Sequence, residues 1–242
     1  MKKMKLAVVF AALVSVLGFS SCLNDGDSSP SANWTGYATV KESYMGTVSL
    51  VGDDGLQFTP VSSSVLAPLK LSDGTYYKRV IVAVRFTEDE VITEGKTNYK
   101  ISELVNYTGV AYKNFTTRPD TLKNDYPLVS LDMGNNGKIW AKNGFVNLPF
   151  TYKVNSNLSS DDFHMYAVDA KEDTLYTRFR QTKSEESAYN IGKGVISFAL
   201  PFDSEYYYML NPKNDSIVIK VTAPGENDKA LVTTVKYRAS ER

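Results

Sequence analysis

Apolar residues in this chain recur in short alternating runs, cut every few residues by glycine, asparagine, aspartate or proline. Nowhere do they keep helical spacing for long. A period of two is the mark of strands with one face in a core, so the chain is confined to an all-β fold. Runs at 36–41 and 47–51 are followed by Gly52-Asp53-Asp54-Gly55 and then by 56–59, which reads as a hairpin. The stretch 60–68 is loop-like, and Ser72-Asp73-Gly74 is a second turn. The β-branched run 78–86 is expected to be a central strand, and 99–101 and 107–112 add two short ones. The second half opens with 128–133, Gly134-Asn135-Asn136-Gly137 and 138–141, a second hairpin pattern. Runs at 145–154, 163–169, 174–180, 195–200, 217–222 and 230–237 then follow at the spacing of a β-sandwich. The polar stretch 182–193 reads as a surface loop. Between the halves stands Arg118-Pro119 in polar surroundings. Proline has no N–H for a ladder, so the boundary is expected there, separating domains 34–118 and 119–242.

The first residues carry different information. Lys2, Lys3 and Lys5 precede an apolar run over 6–19, and Ser20-Ser21-Cys22 follows, which is the layout of a secretory signal over 1–21. The run is shorter than the roughly 20 apolar residues a membrane-spanning helix needs. Cys22 is the only cysteine. Leu17-Gly18-Phe19-Ser20-Ser21-Cys22 resembles a lipobox, with Phe19 where leucine is usual, so Cys22 is expected to be the lipidation site, carrying diacylglycerol and palmitate-type chains. A lone cysteine leaves no internal disulfide, and the body must be held by its core. Residues 22–33 are small, polar and acidic, the composition of a flexible tether. The expected location is exported and lipid-anchored at the outer membrane, with the body periplasmic or at the cell surface.

The chain has 27 basic and 27 acidic residues. Without the three signal lysines the balance is 24 against 27, about three negative charges net. Phosphate backbones demand clustered lysine and arginine, so nucleic acid is not expected as a partner.

Signals of chemistry are sparse. His164 is the sole histidine, and any triad or histidine-rich zinc site would have to be built around it. It falls in an expected strand with Phe163, Met165 and Ala167 on one face and His164, Tyr166 and Val168 on the other, which favours a structural role. There is no Gly-x-Ser-x-Gly elbow and no phosphate-cradling glycine loop. Two carboxylates suffice for glycoside hydrolysis, and Asp53-Asp54 and Asp161-Asp162 are the obvious pairs, but both sit in apparent turns. Asp53-Asp54-Gly55 and Asn135-Asn136-Gly137 lack the alternating ligands and distal glutamate of a calcium loop. No cofactor and no metal are expected. Aromatic side chains are the better binding material, because flat rings stack on sugars and anchor interfaces at low entropy cost. Trp34, Trp140, Tyr206 and Tyr208 are the candidates; the plainer reading puts Trp140 in a sandwich core and lets Tyr206-Tyr207-Tyr208 alternate through a sheet. Two function classes stay open: a non-catalytic lipoprotein that binds a protein or glycan partner, and a carbohydrate-active enzyme with an unrecognised carboxylate pair.

The lipobox, the Asp53-Asp54-Gly55 hairpin, the strand 78–86, and the run from Lys138-Ile139-Trp140 to Phe150 leading into Phe163-His164-Met165-Tyr166 together resemble the NigD-like lipoproteins. That resemblance covers nearly the whole chain and implies an N-terminal OB-like barrel followed by a C-terminal β-sandwich. It implies little chemistry: the founding member is named for its place beside a bacteriocin gene, and immunity there is a suggestion. Asp25 and Asp27 behind the lipidated cysteine weakly resemble the surface-export signal of Bacteroidota lipoproteins. Asp120-Thr121-Leu122, Asp173-Thr174-Leu175 and Asp215-Ser216-Ile217 look like the sites O-glycosylated in exported proteins of that group, which makes Thr121, Thr174 and Ser216 acceptor candidates.

Overall fold

The computed structural model describes residues 32–116, 125–134, 137–154, 158–182, 190–212 and 215–238. The chain divides into two compact units between Tyr112 and Lys113. Arg118-Pro119, where the sequence suggests the boundary, lies outside the described residues, as do Cys22, Thr121 and Asn135-Asn136.

The first unit is a closed five-stranded barrel in the order β1-β2-β3-β5-β4, built from β1 (Trp34–Glu42), β2 (Val48–Gly52), β3 (Gln57–Pro60), β4 (Arg79–Phe86) and β5 (Asn98–Gly109). β1 pairs antiparallel with both β2 and β4, and a parallel β3–β5 contact closes the ring. This is the OB-like topology, and closure leaves no bare sheet edge. β2 and β3 form the expected hairpin, with Leu50 opposite Phe58 and the turn at Asp53-Asp54-Gly55. Every second residue of the strands points inward. Ala38, Val40, Leu50, Phe58, Val80, Val82, Val84, Phe86, Tyr99 and Ile101 form the core, joined by Leu66 and Leu69 from a 3-10 turn at Ala67–Leu69. Phe58 touches three other rings, Trp34 at 4.5 Å, Phe86 at 6.0 Å and Tyr99 at 6.4 Å between centroids. Burial of such a ring stabilises by about 1.5–3 kcal/mol.

The two short strands expected at 99–101 and 107–112 are one twelve-residue strand, β5. The pairing with β4 slips twice, between Ala83 and Val84 and between Arg85 and Phe86. Each slip breaks the alternation along β5, which is why the middle of the strand does not read as one.

The second unit is a β-sandwich of two four-stranded sheets. One sheet has the order β6-β11-β8-β7, from β6 (Ala111–Asn114), β7 (Trp140–Lys142), β8 (Phe145–Val154) and β11 (Asn190–Ala199). The other has the order β13-β12-β10-β9, from β9 (Phe163–Lys171), β10 (Thr174–Gln181), β12 (Ser216–Pro224) and β13 (Ala230–Arg238). An aromatic cluster joins the sheets: Phe150 of β8 lies 4.7 Å from Phe163 and 4.9 Å from Phe179, and Phe179 lies 5.8 Å from Phe198 of β11. β10 and β12 run parallel although β11, between them in sequence, belongs to the opposite sheet.

Three expectations need correction here. Residues 128–133 make no strand; single bridges tie Leu128 to Gly225 and Ser130 to Thr151. β11 begins at Asn190, inside the stretch read as a loop, because Gly192 lets the Tyr152 ring lie across it: a Cβ there would stand 2.7 Å from the ring. Tyr206-Tyr207-Tyr208 does not alternate through a sheet but lies in a one-turn helix, α1 (Glu205–Tyr208), capped by the Ser204 hydroxyl accepting from Tyr207 N–H at 3.3 Å. Three tyrosines read as strand on propensity, and the serine cap in front of them decides otherwise.

Candidate functional site

The barrel holds one buried charge. Arg79 opens β4 opposite Thr39, with its side chain wholly buried, and donates to Asp53 Oδ1 at 2.7 Å, Asp53 Oδ2 at 2.6 Å and Thr39 Oγ1 at 2.8 Å. The neighbouring Tyr37 hydroxyl is pushed up to about 12 by burial, with Arg79 pulling against that and Asp53 adding to it. Asp54 accepts from Trp34 Nε1 at 2.7 Å and from the Leu56 N–H at 3.1 Å. Both carboxylates of this pair are therefore engaged by donors of the chain itself, and they pin the β2–β3 turn to β4 and β1.

Trp34 is part of the same construction. Its ring crosses Gly36 and Gly52, where an added Cβ would stand 2.7 Å and 2.9 Å from Cζ2. The face on which OB barrels stack bases or sugars is that of strands 2 and 3. Here its outward positions are Ser49, Val51, Gln57 and Thr59, which offer neither ring nor cation.

In the sandwich, Asp161 and Asp162 belong to a 3-10 turn with a capping box. Ser159 N–H donates to Asp162 Oδ2 at 2.8 Å, and the Asp161 N–H donates to Ser159 Oγ at 3.2 Å. Lys113 Nζ donates to the Phe163 carbonyl at 3.0 Å and lies 3.7 Å from Asp161. His164 is half-buried beside Arg180, its register partner on β10. Burial holds its imidazole below the usual range, the Lys113 and Arg180 cations push the same way, and Asp161 and Asp162 oppose them. Phe163, Met165 and Ala167 face the core, and Tyr166, on the other face with His164, is buried as well. Arg178 donates to Asp125 through Nε at 3.0 Å and Nη2 at 2.5 Å. Among the described residues, no three of His, Cys, Asp and Glu gather in a way that could hold a metal ion.

The remaining aromatic candidates divide. Trp140 is half-buried on β7, a strand at the edge of its sheet. Tyr206 packs on Ala167, Ala170 and Leu175, whereas Tyr208 and the following Met209 are largely exposed. Thr174 and Ser216 open the parallel strands β10 and β12 at one end of their sheet, with hydroxyls half-buried and Leu175 and Ile217 behind them fully buried.

Among the described residues, the two most exposed apolar side chains are ones the alternation argument passes over, because they sit in a loop. Tyr44 and Met45 tip the β1–β2 hairpin and are 107% and 90% exposed. The turn beneath them is closed by Ser43 N–H to Thr47 O at 2.8 Å and Gly46 N–H to Ser43 O at 3.0 Å. Val91 and Ile92 tip the β4–β5 loop. The signal for both is local: two adjacent large apolar residues inside a turn that ends on a glycine.

Fold and surface together define a two-unit β protein whose Asp53-Asp54 and Asp161-Asp162 carboxylates are held by donors of the chain itself and whose two most exposed apolar side chains among the described residues, Tyr44 and Met45, tip a hairpin. Solved structures from Bacteroides and Parabacteroides are similar to this chain. A candidate lipoprotein of Bacteroides fragilis is 15% identical, with a TM-score of 0.59 over 86% of this chain and 99% of that one. A candidate toxin-related protein of Parabacteroides distasonis is 19% identical, with a TM-score of 0.57 over 86% and 94%. A NigD-like immunity protein of Bacteroides caccae is 17% identical over 88% and 99%, at a TM-score of 0.48. At these identities the likeness to the first two is one of fold. No family model and no curated protein matches the sequence. Among the described residues no helix is long and apolar enough to cross a membrane.

Proposed function

We propose that the chain is an exported lipoprotein, acylated at Cys22, that performs no catalysis and presents hairpin tips to a protein or glycan partner at the outer membrane. The anchor reading rests on the charged start, the apolar run and the lone cysteine at its end, and the fold shared with a candidate lipoprotein supports it. The binding reading is carried by one observation, the Tyr44-Met45 tip. An apolar pair held fully in water on a hydrogen-bonded turn costs solvation and contributes nothing to the core, and such groups mark contact sites. Tyr44 also supplies a hydroxyl for a polar partner group. Trp140 and Tyr208 are secondary contacts in this reading, and Trp34 supports the tip by fixing the barrel.

Labelled fatty acid should enter the wild type and not Cys22→Ala, which should leave the membrane fraction; an unlabelled wild type overturns the anchor. A photo-crosslinker at position 44 in cells should trap a discrete product that the same group at the exposed Thr59 position does not. Equal trapping at both overturns the tip. Thr121, Thr174 and Ser216 are the positions at which intact-mass analysis should find hexose-containing additions.

A further inference from the structure

We infer that the barrel stands on the lipid surface with its β4–β5 loop end, and that Val91 and Ile92 form a second, non-covalent contact with the bilayer. This rests on the Cys22 anchor proposed above.

The geometry comes from where the tether enters the barrel. Asn33 is the last residue before β1, and it is locked to the end of β4: its N–H donates to the Val84 carbonyl at 2.9 Å, and its side-chain oxygen accepts from the Phe86 N–H at 2.8 Å. The tether cannot peel away from that end without breaking both bonds. Residue 87, where the β4–β5 loop begins, follows directly on Phe86. The loop and the tether therefore leave the barrel at the same end.

Eleven peptide links separate Cys22 from Asn33. Eleven links reach about 40 Å at most when fully drawn out, and less in any other conformation. The other apolar tip, Tyr44-Met45, lies beyond the far end of β1. Nine strand residues at about 3.3 Å each put it roughly 26 Å further along the strand. A barrel held on so short a leash brings its near end to the membrane far more often than its far end.

The near end is built to hold an apolar tip outward. Turns closed by Glu90 N–H to Thr87 O at 3.0 Å and by Lys96 N–H to Thr93 O at 3.2 Å flank Val91-Ile92 on both sides. The base is fastened by the Lys96–Glu90 ion pair, by the Lys100 N–H donating to Glu90 at 3.2 Å, and by the Tyr99 hydroxyl donating to the Lys96 carbonyl at 3.0 Å. Val91 and Ile92 remain 66% and 58% exposed. The same loop carries Glu88, Asp89, Glu90 and Glu94 against Lys96. Thr87 holds the Asp89 carboxyl, and Lys96 holds that of Glu90, below the usual carboxylate range, so both stay charged. A tip of this composition fits a zwitterionic headgroup layer, and anionic lipid should repel it.

The test uses the full lipidated chain in phosphatidylethanolamine–phosphatidylcholine vesicles. Because Cys22 is consumed by its thioether, Ile92→Cys introduces the only free thiol, and Met45→Cys does the same at the opposite end. Each is labelled with an environment-sensitive fluorophore. The probe at position 92 should shift to the blue and be quenched severalfold more by brominated lipid than the probe at position 45, and added phosphatidylglycerol should reduce the difference. A protein that floats with the vesicles but shows equal quenching at both positions, or none at 92, overturns the orientation while leaving the anchor intact. A wild type that does not float overturns the anchor and the orientation with it.

Discussion

The barrel and the sandwich solve the same problem with different materials. The barrel closes on itself, so its strands have no free edge, and it admits a buried ion pair, Arg79–Asp53, to fix its hairpin. The sandwich stays open at β13 and relies on a cluster of phenylalanines between its sheets. Stability that comes from ring packing tolerates small polar errors at the rim. Stability that passes through a buried charge fails when either partner is lost, because the other is then left uncompensated. Each unit also contains one of the two tryptophans, Trp34 and Trp140, which gives each its own fluorescent reporter.

The largest effect is expected in the sandwich. Phe179→Ala should cost about 4 kcal/mol, for a buried ring and the cavity it leaves. In a Trp140→Phe background, denaturant unfolding followed at Trp34 should keep its midpoint; a shared shift would mean that the two units unfold as one. Next comes the barrel's ion pair. Asp53→Ala should cost about 3 kcal/mol by stranding Arg79, while Asp53→Leu with Arg79→Met should recover most of that loss. A double variant no better than the single one would show that the pair is needed for shape and not only for charge balance.

The units should also differ in their response to pH. Tyr37 has a folded-state pKa of about 12, above its ordinary 10.0, so the stability it contributes is complete below pH 10 and is lost as pH rises toward 12. His164 is shifted the other way, below 6.5. The unfolded chain then binds the proton more readily, and the sandwich should lose stability as pH falls below 6.5. Tyr37→Phe should flatten the alkaline limb at the Trp34 reporter, and His164→Gln the acidic limb at Trp140. Either variant acting on the other unit's reporter breaks the assignment. The smallest effect belongs to the tip: Tyr44→Ser with Met45→Ser should leave stability within about 0.5 kcal/mol, because exposed loop residues hold nothing in place.

Much of this architecture was legible in the residues, and what was hidden has physical reasons. The Gly52-Asp53-Asp54-Gly55 turn and the strand through Val80, Val82 and Val84 follow from local chemistry, and local chemistry survives folding. Barrel closure does not show, because the parallel β3–β5 contact joins residues about forty apart that bear no local sign of each other. Arg79 falls inside the run 78–86 with no local sign of a partner, and only its register with Thr39 reveals that Asp53 can reach it. The structural role of Trp34 needed two glycines from different strands to become visible. The apolar tips could have been found, since Tyr44-Met45-Gly46 and Val91-Ile92 stand out once loops are read for what they should not contain.

The parallel pairing of β10 with β12 bears on how the chain is made. Thr174 must find Val218, and between them the chain has to cross to the opposite sheet, lay down β11 and return. As the chain is synthesised, the β9–β10 hairpin is therefore complete long before its second neighbour arrives. Pairing at such a separation is slow, and an unpaired strand edge invites foreign strands in the interval. The vulnerable moment of this protein is accordingly late, after most of the sandwich exists and before β12 docks. Substitutions in β12 should reduce the yield of folded protein more than their effect on the finished fold would suggest.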